Sequence, residues 1–296
     1  MKLFQLVFIL SILTLIYSCK NNTKKDAVDD INNIEFDAES EQDKTITKIF
    51  LNLPSPIELT NTILSTKNPY NPELLNPVEK VNNYSTTAKL ALNFGIFGAD
   101  LCYCRVYDQL QSSISYLSAI RKLSEKLQIP EEEGAETINR IEENMSNRDS
   151  IFHIISETYA NADGYLKENE RDLTATFILI GGWVEGMHFA VNLIEENSDN
   201  LILINKIAEQ KYSYQNLMSL LEGAKDNSAL IEIYPLFEKL DVIFKNVEIT
   251  YEEPIIVTDQ ETKITTIDND SKISITTEQI KEITQLIGEI REKIIG

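Results

Sequence analysis

The sequence predicts an all-α fold: a multi-helix bundle or helical-hairpin array around two central apolar, glycine-containing helices, with a small C-terminal β-hairpin. Three observations predict it. Apolar residues recur at three- and four-residue steps over most of residues 54–250, as in Leu110, Ile114, Leu117, Ile120, Leu123 and Leu127. Two segments, Ala91 to Asp100 and Phe177 to Gly186, are apolar on most sides, and helices of that kind belong at the centre of a bundle. Ile255 to Ile275 instead alternates Ile, Val and Thr in the manner of strands.

Residues 1–18 have the form of a signal peptide. Lys2 precedes an apolar stretch, Leu3 to Tyr17, broken only by Gln5, Ser11 and Thr14. Spanning a bilayer takes about 20 apolar residues, so this length suits a cleaved signal core. The stretch Ile16-Tyr17-Ser18-Cys19 then resembles the lipobox of bacterial lipoproteins: an aliphatic residue, a variable one, a small one and a cysteine. That resemblance implies diacylation of the Cys19 thiol, cleavage before it and acylation of the new amino end. Several acyl chains are enough for stable membrane attachment.

Residues 19–53 read as a lipidated flexible tether, polar and rich in Asn, Asp, Glu and Lys. Lipoproteins of Bacteroidota bound for the cell surface resemble one another in carrying acids soon after the cysteine. Here Lys20-Asn21-Asn22-Thr23-Lys24-Lys25 comes first and acids begin at Asp26. The expected location is therefore the outer membrane, facing the periplasm, with surface exposure as the alternative.

The helical domain, 54–250, opens at Ser55-Pro56-Ile57-Glu58, with Ser to cap, Pro at the first helical place and Glu to reach back. Asn71-Pro72-Glu73 starts a single turn, and Asn76-Pro77-Val78-Glu79 repeats the capping logic. Helices are expected at 85–106, 108–127, 130–146, 148–167 with Asn147 as its cap, 171–196, 199–210, 213–224 and 228–247, the last kinked or restarted at Pro235. Glycine costs about 1 kcal/mol per site in a helix. Gly95, Gly98, Gly181, Gly182 and Gly186 therefore need an offsetting gain, and close crossing of two backbones supplies one. No stretch after the signal is expected to span a membrane.

The remaining part, 251–296, is expected to be an appendage of hairpin and helix. Asp268-Asn269-Asp270 reads as a turn between Lys263-Ile264-Thr265-Thr266-Ile267 and Lys272-Ile273-Ser274-Ile275. Thr277 caps a last helix, 278–294, with Ile280, Ile283, Ile287, Ile290 and Ile294 along one stripe.

Composition narrows the function. The net charge is −20, which argues against nucleic acid as a partner, because phosphate recognition needs basic patches. The hydrophobic share of 43% is ample for a core. With Cys19 lipidated, Cys102 and Cys104 remain; two apart on a helix, they diverge and are expected to be buried as small apolar residues.

The site census is thin. Glu185 and His188 form an ExxH, the spacing of helix-bundle di-iron sites, but those need two such motifs plus two more glutamates. His153 lacks an ExxH of its own, and a simpler metal site would draw on Glu185, His188, His153 and Glu157 together. Asp268-x-Asp270 lacks the glycine and the closing glutamate of a calcium loop. No nucleophile elbow, phosphate loop or CxxC pair is present. No catalytic residue, metal or cofactor is therefore expected. The one pocket candidate is Asp100, Tyr103, Trp183, Glu185 and His188: two acids inside apolar helices, close to glycines and aromatics. Buried acids must be paired or hydrogen-bonded. Arg105, Arg121, Arg171 or a tyrosine hydroxyl are the expected partners if these acids are structural.

The segments NFGIFGADLCYC, YLSAIRKLSEKL and YLKENERDLTATFILIGGWVEGMHFAVNLI resemble uncharacterised all-helical lipoproteins of Bacteroidota. That resemblance carries no activity. The expected function is a non-enzymatic, lipid-anchored binding or scaffold module of the cell envelope. Its expected partners are the membrane, through the N-terminal lipid, and an envelope protein. A small-ligand-binding lipoprotein is the alternative, and a metalloprotein or hydrolase the disfavoured third.

Overall fold

Helices form where the apolar period predicts them. The structure, a computed structural model, describes residues 62–63, 68–129, 139–147, 149–151, 153–154, 157, 171–194, 201–251, 255–258, 265–268 and 271–296. The signal peptide, Cys19, the tether and the Ser55-Pro56 start lie outside them, as do most of the expected helices at 130–146 and 148–167. Two 3-10 turns, Pro72–Leu74 and Val78–Asn82, lead into α1 (Thr87–Val106) and α2 (Leu110–Lys126). After these come α3 (Asp172–Asn192), α4 (Leu201–Ala224), α5 (Tyr234–Lys245) and α6 (Thr277–Ile295).

The caps explain several boundaries. Asn71 accepts a hydrogen bond from the Glu73 amide and starts the first turn as expected. Asn147 likewise accepts from the Ser150 amide at 3.1 Å. Asn76 does not cap the second turn; its side chain is drawn into the core instead. Both α1 and α2 end without glycine. Asp108 and Gln128 take φ values of 53° and 56°. The next amides, Gln109 and Ile129, then reach back to the Cys104 and Ser124 carbonyls, closing a Schellman motif in each case.

Three expectations are corrected. The two helices expected at 199–210 and 213–224 are one from Leu201 onward, α4, because no glycine or proline interrupts the join. The helix expected over 228–247 begins only at Tyr234: it restarts at Pro235, which sits in the first turn of α5, where a missing N–H costs nothing. Thr276, not Thr277, caps α6, in a reciprocal capping box with Gln279. Thr276→Ala is expected to lower stability by about 1 kcal/mol, read from the shift of the urea midpoint at unchanged slope.

The tail forms an antiparallel hairpin whose turn is not where the sequence suggests. β1 (Glu248–Tyr251) pairs with β4 (Ser271–Ser274), and β2 (Ile255–Thr258) pairs with β3 (Thr265–Asp268). Asp268 is thus a ladder residue opposite Ile255 rather than a turn residue. Three residues on one arm, Glu252 to Pro254, and two on the other separate the ladders, so the register shifts by one.

α1 and α3 are the centre. Only Thr87, Lys89 and Phe94 of α1 escape full burial, and α3 is buried over nearly its whole length. α2 packs on α1, α4 on α3 and α5, and α6 on α3, α5 and α1. The last helix is therefore part of the core packing rather than a piece standing apart. Contrary to expectation, α3 is long and apolar enough to cross a membrane. However, 89% of its most apolar window is buried inside the protein, as in a core helix.

Candidate functional site

The geometry of the centre starts from two glycines. A Cβ placed on Gly95 would stand 2.0 Å from the Ile178 carbonyl oxygen and 2.6 Å from the Gly182 nitrogen. One placed on Gly181 would stand 1.9 Å from the Leu92 carbonyl oxygen. The two backbones therefore touch, and side chains flanking the contact are forced together. Asp100 lies five residues beyond Gly95, and Glu185 four beyond Gly181. Neither has any exposed surface.

Glu185 is paired. Arg291 of α6 grips it with two hydrogen bonds, Nε to Oε2 at 2.6 Å and an Nη2 contact to Oε1 at 2.7 Å. The same Nη2 donates to the Leu74 carbonyl at 2.9 Å. A planar fork suits this task; a lysine would offer only a point charge. Asp100 lies beside the pair. Burial and the Glu185 carboxylate push the Asp100 carboxyl well above its usual range, while Arg291 pulls it down. The Asn76 backbone amide also favours the charged form, yet neither Asp100 oxygen gains a hydrogen bond of good geometry among the described residues.

A polar seam continues from the acids. The Asn76 side-chain amide donates to the Tyr84 hydroxyl at 3.1 Å and to Asn93 Oδ1 at 3.4 Å. Asn93 donates to the Lys89 and Ile294 carbonyls, and the Tyr116 hydroxyl donates to the Asn76 carbonyl at 2.9 Å. The seam ties the turns at 71–84 to α1, α2, α3 and α6 through groups that water does not reach. Compared with family models, curated proteins and solved structures, the chain matches none.

The five candidate residues fall into three places. Asp100 and Glu185 meet, and His188, half-buried one turn on, lies beside the Glu185–Arg291 pair. Burial lowers the His188 imidazole to about 4, so it is neutral at ordinary pH; the Asn192 amide sits 3.1 Å from its Nδ1. Tyr103 belongs to an aromatic cluster, stacked on Phe189 at 4.4 Å and close to Tyr107 and Tyr70. Its hydroxyl accepts from the Asn71 amide. Trp183 faces α4 and α5, donating to Gln210 at 3.2 Å and packing on Tyr214 and Phe237.

Other reactive groups are also closed off. Cys102 and Cys104 are free thiols with no exposed surface, and burial pushes both up to about 12. Such thiols are inert as nucleophiles at neutral pH. Glu157 pairs with Arg140 at 2.7 Å, and His153 is exposed. Among the described residues, no group of three or more His, Cys, Asp or Glu is placed to hold a metal ion.

Sequence reasoning missed Arg291, Asn76, Asn93, Tyr84 and Tyr116. Arg291 left one signal. It lies four residues after Ile287 and eight after Ile283, on the apolar stripe itself. A charge at a stripe position requires a buried partner.

Proposed function

We propose that the protein is a lipid-anchored module of the bacterial cell envelope that binds or scaffolds a partner protein and carries no catalytic machinery of its own. The observation that supports this most is the closure of the two central helices. Their acids and thiols, Asp100, Glu185, Cys102 and Cys104, all have no exposed surface, and the Glu185 charge is already neutralised by Arg291. Groups in that condition position helices; they do not meet a substrate. The lipobox-like stretch at Ile16 to Cys19 supports the address, and the polar residues 20–53 support a tethered domain with room to reach a partner.

Fractionation tests the address. Cys19→Ala is expected to move most of the protein from the membrane pellet to the soluble fraction, with the fold unchanged by circular dichroism. Retention of the variant in the pellet would refute the lipid anchor. In-cell cross-linking of the anchored protein tests the role. One envelope protein recovered in constant ratio is expected, and wild-type protein that cross-links to nothing contradicts the scaffold reading.

A further inference from the structure

Asp100 is a buried carboxyl whose two oxygens the packing leaves without a partner among the described residues. It has no exposed surface. A buried ionised carboxylate in that condition is costly. The groups facing it come from every element around it. α3 supplies Glu185 and α6 supplies Arg291; the turns at 71–84 supply the Asn76 amide and the Tyr84 hydroxyl. α2 supplies Tyr116, and its own helix supplies Cys102 and Cys104. Arg291 is the one cation in that set, and both Glu185 oxygens already hold it. Two carboxyl groups thus share one guanidinium.

We propose that Asp100 folds as the neutral acid, donating its hydroxyl proton to the Glu185 carboxylate, so that the protein takes up one proton from solvent as it folds. The buried set is then neutral: one carboxylate, one guanidinium and one carboxylic acid. This gives one of the two orphaned oxygens a partner, since a protonated carboxyl is a donor and Glu185 is the acceptor beside it. A metal cation in the same place fits poorly. The Glu185 oxygens are turned to arginine, leaving Asp100 and the orphaned Asn76 Oδ1, whereas a hard cation takes about six oxygen ligands.

The sign of the pH effect follows. The unfolded chain releases this proton above roughly pH 4. The folded chain keeps it, because burial and Glu185 raise the Asp100 carboxyl well above that range. The native state therefore binds more protons than the unfolded state, and stability falls as pH rises across the window between the two values. One proton corresponds to a tenfold fall in the folding constant per pH unit.

Urea unfolding of the wild type and Asp100→Asn, from about pH 5 to about pH 8, tests this. The asparagine amide can donate to Glu185 without needing a proton. The ratio of the two folding constants is expected to move tenfold per pH unit in favour of the variant as pH rises. Contributions from His188 and the thiols cancel in that ratio. Infrared spectra at neutral pH give an independent readout: a protonated-carboxyl stretch in the wild type, shifted by carbon-13 aspartate, which needs no variant to fold. Parallel stability curves, or a wild type without that band, overturn the proposal. So does an ionised Asp100 with one bound metal ion per chain by elemental analysis.

Discussion

Gly181→Ala is expected to destabilise the protein by about 3 kcal/mol, although alanine is the better helix former by about 1 kcal/mol. The new Cβ would lie 1.9 Å from the Leu92 carbonyl oxygen. That neighbour is backbone in the middle of α1, so it cannot rotate away. Relief requires α1 and α3 to separate along their whole contact, the most extensive between the described elements. The loss of close packing on both sides then outweighs the gain in helix propensity. Gly95→Ala is expected to act alike, against the Ile178 carbonyl. Gly223 and Gly288 are internal controls. A Cβ at either meets nothing within 4 Å, so alanine there is expected to stabilise by about 0.5–1 kcal/mol. Urea midpoints of the four variants check the contrast. A harmless Gly181→Ala would mean that the two helices do not meet as closely as described.

Arg291→Met is the second large effect, a loss of about 3–5 kcal/mol. Methionine fills similar volume but leaves Glu185, which has no exposed surface, without its two donors. It also takes away the hydrogen bond that Arg291 gives the Leu74 carbonyl and removes the cation that Asp100 faces. The penalty comes from stranding a charge rather than from losing a strong bond. The double variant Arg291→Met, Glu185→Met should therefore recover most of the loss, since replacing a buried ion pair by packed apolar groups is often close to neutral. Arg291→Lys should fall between, because an ammonium cannot make both parallel bonds and still reach Leu74. A double variant no better than the single one would show that the arginine acts through packing alone.

The two effects separate what was legible in the sequence from what was not. The glycine contact was legible. Five glycines inside apolar helices demand a gain that offsets their helix cost, and close crossing supplies it at Gly95 and Gly181. The acids were legible as buried groups in need of partners. Their partner was not. Arg105, Arg121 and Arg171 lie nearer in sequence, but Arg105 turns to Asp108 at the end of its own helix and Arg171 donates to the Leu127 carbonyl. Arg291, which pairs with Glu185, lies 106 residues away along the chain. The hairpin was similarly half-read. Alternation identifies strands, but it carries no register; the pairing across residues 248–274 moved Asp268 from a turn to a ladder.

Local chemistry thus determined what sequence can determine: helix content, the two central helices, the strand-forming tail and, at Ile16 to Cys19, the resemblance to a lipid anchor. These depend on residues within a few turns of one another, where propensity, capping and apolar period act directly. The tertiary structure alone decided which helix supplies the cation to Glu185 and that Asp100 lies beside the pair with no hydrogen bond among the described residues. Those outcomes depend on burial and on contacts between distant segments. Burying Asp100 beside Glu185 and Arg291 pushes its carboxyl well above the usual range in a way that no one segment encodes.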